Sequence, residues 1–159
     1  MWEIPERVTE FVRKRIRSKA YREYIYRVGE ELFPIDTTPK ADVAQAREAE
    51  HRVFRMLRRE GERALGSAEF SFRPIDPSIA SHPYYTPPYY APGLSPEEVY
   101  DGRGNLLAFL KGAGGGPTLA LNGHIDTVAP DLPFRRDGDT FYGRAPPTTC
   151  GTYWRCWCA

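Results

Sequence analysis

His124-Ile125-Asp126-Thr127 closes an apolar run, Leu119-Ala-Leu-Asn-Gly, shortly before Pro130. Residues two apart on a strand share a face, so an extended run points His124 and Asp126 the same way. A neutral imidazole is the commonest metal ligand, and a carboxylate beside it fixes its tautomer and raises its basicity. A hydrogen-bonded core pair has the same spacing, so the spacing leaves both readings open. The other two histidines offer less. His51 lies off the apolar stripe of its helix and reads as a partly exposed surface residue, while His82 belongs to a Tyr/Pro loop and reads as structural. The 3 cysteines, Cys150, Cys156 and Cys158, match no common zinc-ligand spacing, and an odd count leaves one thiol over in any disulfide scheme.

The elements that must position His124 follow from periodicity. Val8, Phe11, Val12, Ile16, Tyr24, Ile25, Val28 and Leu32 fall near helical spacing, which predicts one long amphipathic helix from Pro5 to about Phe33. Its basic stretch Arg13 to Arg17 is interleaved with glutamates over the helix as a whole and reads as a solvated face. A second helix is predicted from about Ala41 to Arg59, with Val43, Ala46, Ala49, Val53, Phe54 and Leu57 buried and Gly61 closing it. Phe70 to Pro74 alternates like a strand, and Asp76 to Pro96 is a Tyr/Pro loop expected to be extended and held by tyrosine packing. Ser95-Pro-Glu-Glu98 opens a short turn and Leu106 to Leu110 is a strand. Leu119 to Asn122 is apolar on both faces, which predicts an interior strand. Phe134 to Tyr142 reads as a hairpin turning at Asp137-Gly138. The expected fold class is α/β: two N-terminal helices packed on a small mixed sheet, an incomplete catalytic domain.

With 159 residues the chain can bury one core, and a formal charge of +1 gives no bulk electrostatic footprint for nucleic acid. No apolar run has membrane-spanning length and the first residues lack the blocks of a signal peptide, so the expectation is a cytoplasmic protein with neither a nucleic-acid nor a membrane partner.

Gly116-Pro-Thr-Leu-Ala-Leu-Asn-Gly-His-Ile-Asp-Thr-Val-Ala-Pro130, followed by Asp137-Gly-Asp-Thr-Phe-Tyr-Gly-Arg144, resembles the co-catalytic zinc amidohydrolases: aminoacylase, acetylornithine deacetylase, succinyl-diaminopimelate desuccinylase and carboxypeptidase G. The resemblance extends to Asn105-Leu-Leu-Ala-Phe-Leu-Lys-Gly112 and to Ile35-Asp-Thr-Thr38. It implies that His124 is a zinc ligand and that Asp126 supports this histidine from behind, its only part in the catalytic machinery. It implies two zincs per site in intact relatives, with cobalt able to replace them, and a small acylated amino acid or peptide as substrate. It also allows a homodimer in the intact form. In such enzymes a bridged water is activated between the metals, and a glutamate from a Glu-Glu pair downstream of the bridging aspartate moves the protons. Glu30-Glu31 and Glu97-Glu98 both precede His124 and cannot take that role.

After Gly143-Arg144 the family pattern continues with two small residues and the bridging aspartate, whereas this chain reads Ala-Pro-Pro-Thr-Thr-Cys-Gly-Thr-Tyr-Trp-Arg-Cys-Trp-Cys-Ala159. Back-translated and shifted by two bases, those codons permit small, small, Asp, Asp, Met, Arg, with the missing aspartate across the codons of Thr148 and Thr149. Residues 1–144 are thus expected to be the N-terminal part of a metallohydrolase catalytic domain and residues 145–159 a frameshifted, non-native tail. With one recognisable ligand, the chain is expected to be inactive and to hold no zinc tightly. The alternative is a non-catalytic αβ interaction fragment that binds a partner through its first helix or through the Tyr/Pro loop 76–96.

Overall fold

The structure, a computed structural model, describes residues 5–143. The expected tail 145–159 lies outside the described residues. The fold is α/β, with N-terminal helices packed on small sheets. In chain order it has α1 (Glu6–Ile16), α2 (Lys19–Leu32), α3 (Val43–Leu65), β1 (Glu69–Pro74), a 3-10 turn (Pro77–Ser81), α4 (Pro96–Tyr100), β2 (Gly104–Phe109), β3 (Arg135–Asp137) and β4 (Thr140–Tyr142). β1 pairs with β2 and β3 with β4. Both pairs are antiparallel, where a mixed sheet was expected.

The single long N-terminal helix of the sequence reading is two helices. Ser18 divides them: its hydroxyl donates to Arg15 O at 2.7 Å and accepts from Tyr21 N at 3.2 Å. Serine offers the backbone a local partner that a helix interior does not need, which is why it favours caps. α2 then packs on the β3–β4 hairpin. The Phe141 ring stands edge-on to Tyr26 at 5.7 Å and to Phe33 at 5.5 Å. Gly29 makes this approach possible, since a Cβ there would sit 2.7 Å from the Phe141 ring.

α3 runs six residues beyond its expected end at Arg59 and passes through Gly61. The helix terminates instead at Gly66, whose φ of +56° is open to glycine at little cost. Gly61 has a packing role, because a Cβ at that position would lie 2.5 Å from the Phe70 ring of β1. Val53 and Met56 are buried on the inner face of the helix, with Glu60 beyond them. Phe54 and His51 both contact the ring of Phe72, with centroids 6.1 and 5.4 Å away. Ser95 and Glu98 form the reciprocal cap that starts α4, whose Val99 is fully buried.

Leu119 to Asn122 is not an interior strand. The segment is unpaired, with Leu119 80% and Leu121 88% exposed. A strand apolar on both faces needs a covering layer on each side. Among the described residues α3 flanks the β1–β2 pair, and no second layer reaches Leu119. The preceding connection carries Gly114 and Gly115 at positive φ.

The inner end of α3 holds a buried carboxylate. Glu60 accepts from Arg27 Nη1 at 3.0 Å and Nη2 at 2.6 Å, and from Arg63 at 3.0 Å. Hydrogen bonding from Arg27, opposed by burial and aided by the Arg27 charge, a hydrogen bond from Arg59 and the Arg63 charge, holds its carboxyl down from 4.5 to about 2. A depressed folded-state value stabilises the fold fully above the unfolded value and loses that contribution as pH falls toward 2. Glu60→Gln is therefore expected to lower stability at pH 7 by about 1–3 kcal/mol, a range set by half-solvated arginine partners. The gap between variant and parent in urea unfolding should narrow steadily from pH 4.5 downward; a gap that does not change with pH would refute the assignment.

Candidate functional site at the His124 turn

The loop after α2 and the turn before Pro130 meet, although far apart in sequence. Thr37 Oγ1 donates to Ile125 O at 2.6 Å, and Thr127 N donates to Thr37 O at 3.3 Å. Asp36 prepares the loop for this contact: its Oδ1 accepts from Thr38 N at 2.9 Å and from Thr38 Oγ1 at 2.6 Å. Lys40 Nζ lies 2.8 Å from the other carboxylate oxygen. Burial alone would raise the Asp36 pKa, but the hydrogen bonds from Lys40 and Thr38 outweigh it and hold the group below the usual range.

His124 Nδ1 lies 3.0 Å from Asp126 Oδ1. With Nδ1 carrying the hydrogen, the ring donates to the carboxylate and keeps the Nε2 lone pair for a ligand. Both side chains are open to solvent, 50% exposed for His124 and 68% for Asp126. They lie at the rim of a cleft of about 760 Å³ whose walls include Thr37, Phe54, Leu57, Leu106 and Leu121. This volume is in the range of small-molecule sites.

The cleft lining also contains a charge pair that local sequence patterns did not reveal. Arg103 Nε lies 3.1 Å from both carboxylate oxygens of Glu50, and its Nη2 lies 2.5 Å from one of them. Its Nη1 donates to Tyr90 Oη at 2.9 Å. Burial works against the Arg103 charge, yet hydrogen bonding to Glu50 and Tyr90 more than compensates and raises its pKa. Glu50 comes from α3, Arg103 from the turn before β2 and Tyr90 from the Tyr/Pro loop. No spacing connects them.

Chemically the rim offers one imidazole backed by one carboxylate. Among the described residues no three His, Cys, Asp or Glu side chains gather to hold a metal ion. The neighbouring acids are engaged elsewhere, Glu50 by Arg103 and Asp36 by Lys40. Among the described residues that line the cleft, His124 is the one imidazole, with Asp126 beside it. His51 is on α3, with Nε2 2.7 Å from Gly102 O, and His82 is in the Tyr/Pro loop against Tyr84. Neither belongs to the cleft.

No protein-family model matches the chain, and no curated protein or solved structure matches it significantly. No described helix is long and apolar enough to cross a membrane.

Two threonines at this junction should respond in opposite directions. Thr37→Val removes the hydroxyl that binds Ile125 O and is expected to cost about 1 kcal/mol. Thr127 is buried and its Oγ1 has no hydrogen-bond partner among the described residues. Exchanging that hydroxyl for a methyl in Thr127→Val should be neutral or stabilise by up to about 1 kcal/mol. Thermal unfolding of the two variants reads both signs, and destabilisation by Thr127→Val would show that its hydroxyl has a partner.

Proposed function

We propose that the chain is the N-terminal portion of a zinc-dependent hydrolase that, when intact, cleaves amide or peptide bonds of acylated amino acids or small peptides in the cytoplasm. Its reading frame is lost after Arg144, and the chain is inactive alone. The observation that carries this reading is the meeting of Thr37 with Ile125 and Thr127, 88 residues apart for the first pair. The two segments that resemble separate landmarks of one enzyme family converge beside His124, a location that neither segment needs for its own local structure.

In this reading His124 supplies one zinc ligand through Nε2. Asp126 holds Nδ1 and with it the ring's orientation and tautomer. The described residues do not complete a two-zinc site, so we assign them no further part in the reaction.

Repairing the frame after Arg144 tests the proposal. The chain as given should not hydrolyse N-acetyl amino acids or dipeptides with added zinc or cobalt, and the repaired chain should. In the repaired protein His124→Ala should abolish metal-dependent turnover, whereas Asp126→Ala should lower metal affinity or activity by about 10- to 100-fold. Robust activity of the unrepaired chain, or a repaired His124→Ala enzyme as active as its parent, would overturn it.

One observation favours the second reading, a partner-binding fragment. α1 has no buried residue, and Phe11 at 68% exposure lies with Val8, Val12 and Ile16 on one apolar stripe. A stable complex that forms without hydrolase activity and is lost in Phe11→Ser would support that reading.

A further inference from the structure

On its side away from β2, β1 is an open edge. Ile75 N donates to Arg103 O at 3.0 Å, in the same register that pairs Arg73 with Asn105, Ser71 with Leu107 and Glu69 with Phe109. Bonded and non-bonded pairs alternate along an antiparallel ladder, so Glu69, Ser71 and Arg73 direct their backbone groups at β2. Phe70 and Phe72 direct their N–H and C=O groups out of the sheet edge, where no backbone group of the described residues meets them. Pro74 also falls at an outward position, so its missing N–H removes no bond from the β1–β2 ladder. The rings of Phe70 and Phe72 lie on the α3 face, which puts Glu69, Ser71 and Arg73 on the opposite face. Glu69 and Arg73 are exposed, and neither has a hydrogen bond or ion pair among the described residues. Phe72 stays 40% exposed despite its contacts with Phe54 and His51.

We propose that two copies of the chain associate through this edge, β1 of one pairing antiparallel with β1 of the other about a two-fold axis at Ser71. A two-fold contact must be self-complementary, and this strand is. With the axis at Ser71, Phe70 of each copy lies opposite Phe72 of the other, so the outward-facing residues exchange their backbone hydrogen bonds. Glu69 then lies opposite Arg73 at both ends of the contact. An axis at Phe70 or Phe72 loses both ion pairs, and an axis at Glu69 or Arg73 sets like charges together, so the charges select the register. Charged residues and proline on an edge usually keep other strands away. Here the two charges have opposite signs and stand symmetrically about Ser71, which repels a parallel neighbour and accepts this one. The exposed side of Phe72 is covered by Phe70 of the other copy. Because the axis stands perpendicular to the joined sheet, both α3 helices lie on one face. Each has two strands, about 10 Å, to itself, which is the spacing at which helices pack side by side. A formal charge of +1 sets no bulk repulsion between copies. The contact stands apart from the hydrolase reading and does not depend on it.

Sedimentation velocity and amide hydrogen exchange of the full chain over a range of concentrations, with reductant present to exclude disulfide-linked species, test the contact. A concentration-dependent dimer is expected. The Phe70 and Phe72 amides should gain protection as it forms, whereas the Ser71 amide, already bonded to β2, should be protected throughout. Glu69→Arg alone and Arg73→Glu alone each set like charges at both ends of the contact and should weaken the dimer about tenfold. An equimolar mixture of the two variants faces opposite charges at both ends and should regain the affinity of the parent, which neither misfolding nor a change in net charge would produce. A chain that is monomeric throughout, a dimer indifferent to either reversal, as one formed through α1 would be, or a mixture that associates no better than each variant alone would overturn the proposal.

Discussion

The architecture depends on how α3 holds the turn that starts β2. Three side chains from the first half of the helix reach three consecutive residues of that turn. Arg47 pairs with the Asp101 carboxylate and donates to Asp101 O, His51 Nε2 meets Gly102 O at 2.7 Å, and Glu50 takes the Arg103 guanidinium. A two-stranded sheet is only marginally stable alone, so β1–β2 needs this anchorage and the ring contacts of Phe72 with Phe54 and His51. Arg103 also binds Tyr90, which ties the Tyr/Pro loop to the same point. The loop therefore ends against the cleft, although Tyr84 and Tyr89 on either side of its centre stay exposed.

Around this anchor the chain forms two small packing units. In one, α3 covers β1 and β2. In the other, α2 covers β3 and β4 through Tyr26, Phe33 and Phe141, with the Arg136 guanidinium 3.9 Å above the Tyr26 ring and 2.7 Å from Glu30. Arg27 and Glu31 of α2 reach Glu60 and Arg59 of α3, so a charged seam joins the two helices. Such a seam depends on pH through Glu60 far more than an apolar seam would. The Thr37 bridge to Ile125 and Thr127 draws the His124 turn toward the loop between α2 and α3, which places His124 at the cleft between these elements.

Much of this was legible in local sequence. The helical periods of α2 and α3, the alternation of β1 and the existence of the β3–β4 hairpin follow from side-chain spacing, but that hairpin turns at Gly138-Asp139, one residue beyond the expected Asp137-Gly138, and Ser95–Glu98 caps a short helix where only a turn was expected. The His124–Asp126 contact was legible too, because two residues one apart from a common neighbour can meet without help from the rest of the fold. Two boundaries were misjudged for the same kind of reason. Ser18 interrupts an amphipathic pattern that continues through it, and Gly61 looks like a terminator until the Phe70 ring that requires it is in place.

Sequence by itself determined most of the element types and the His-x-Asp corner. Tertiary structure alone decided that Glu50, Tyr90 and Arg103 would share one hydrogen-bonded group, because their partners lie 13 and 53 residues apart and no period links them. It also decided the fate of Leu119 to Asn122. Hydrophobicity on both faces states what a strand would need, two covering layers and a paired neighbour, but only packing determines whether they are there. Among the described residues they are not, so the most apolar run beside His124 lies open to solvent.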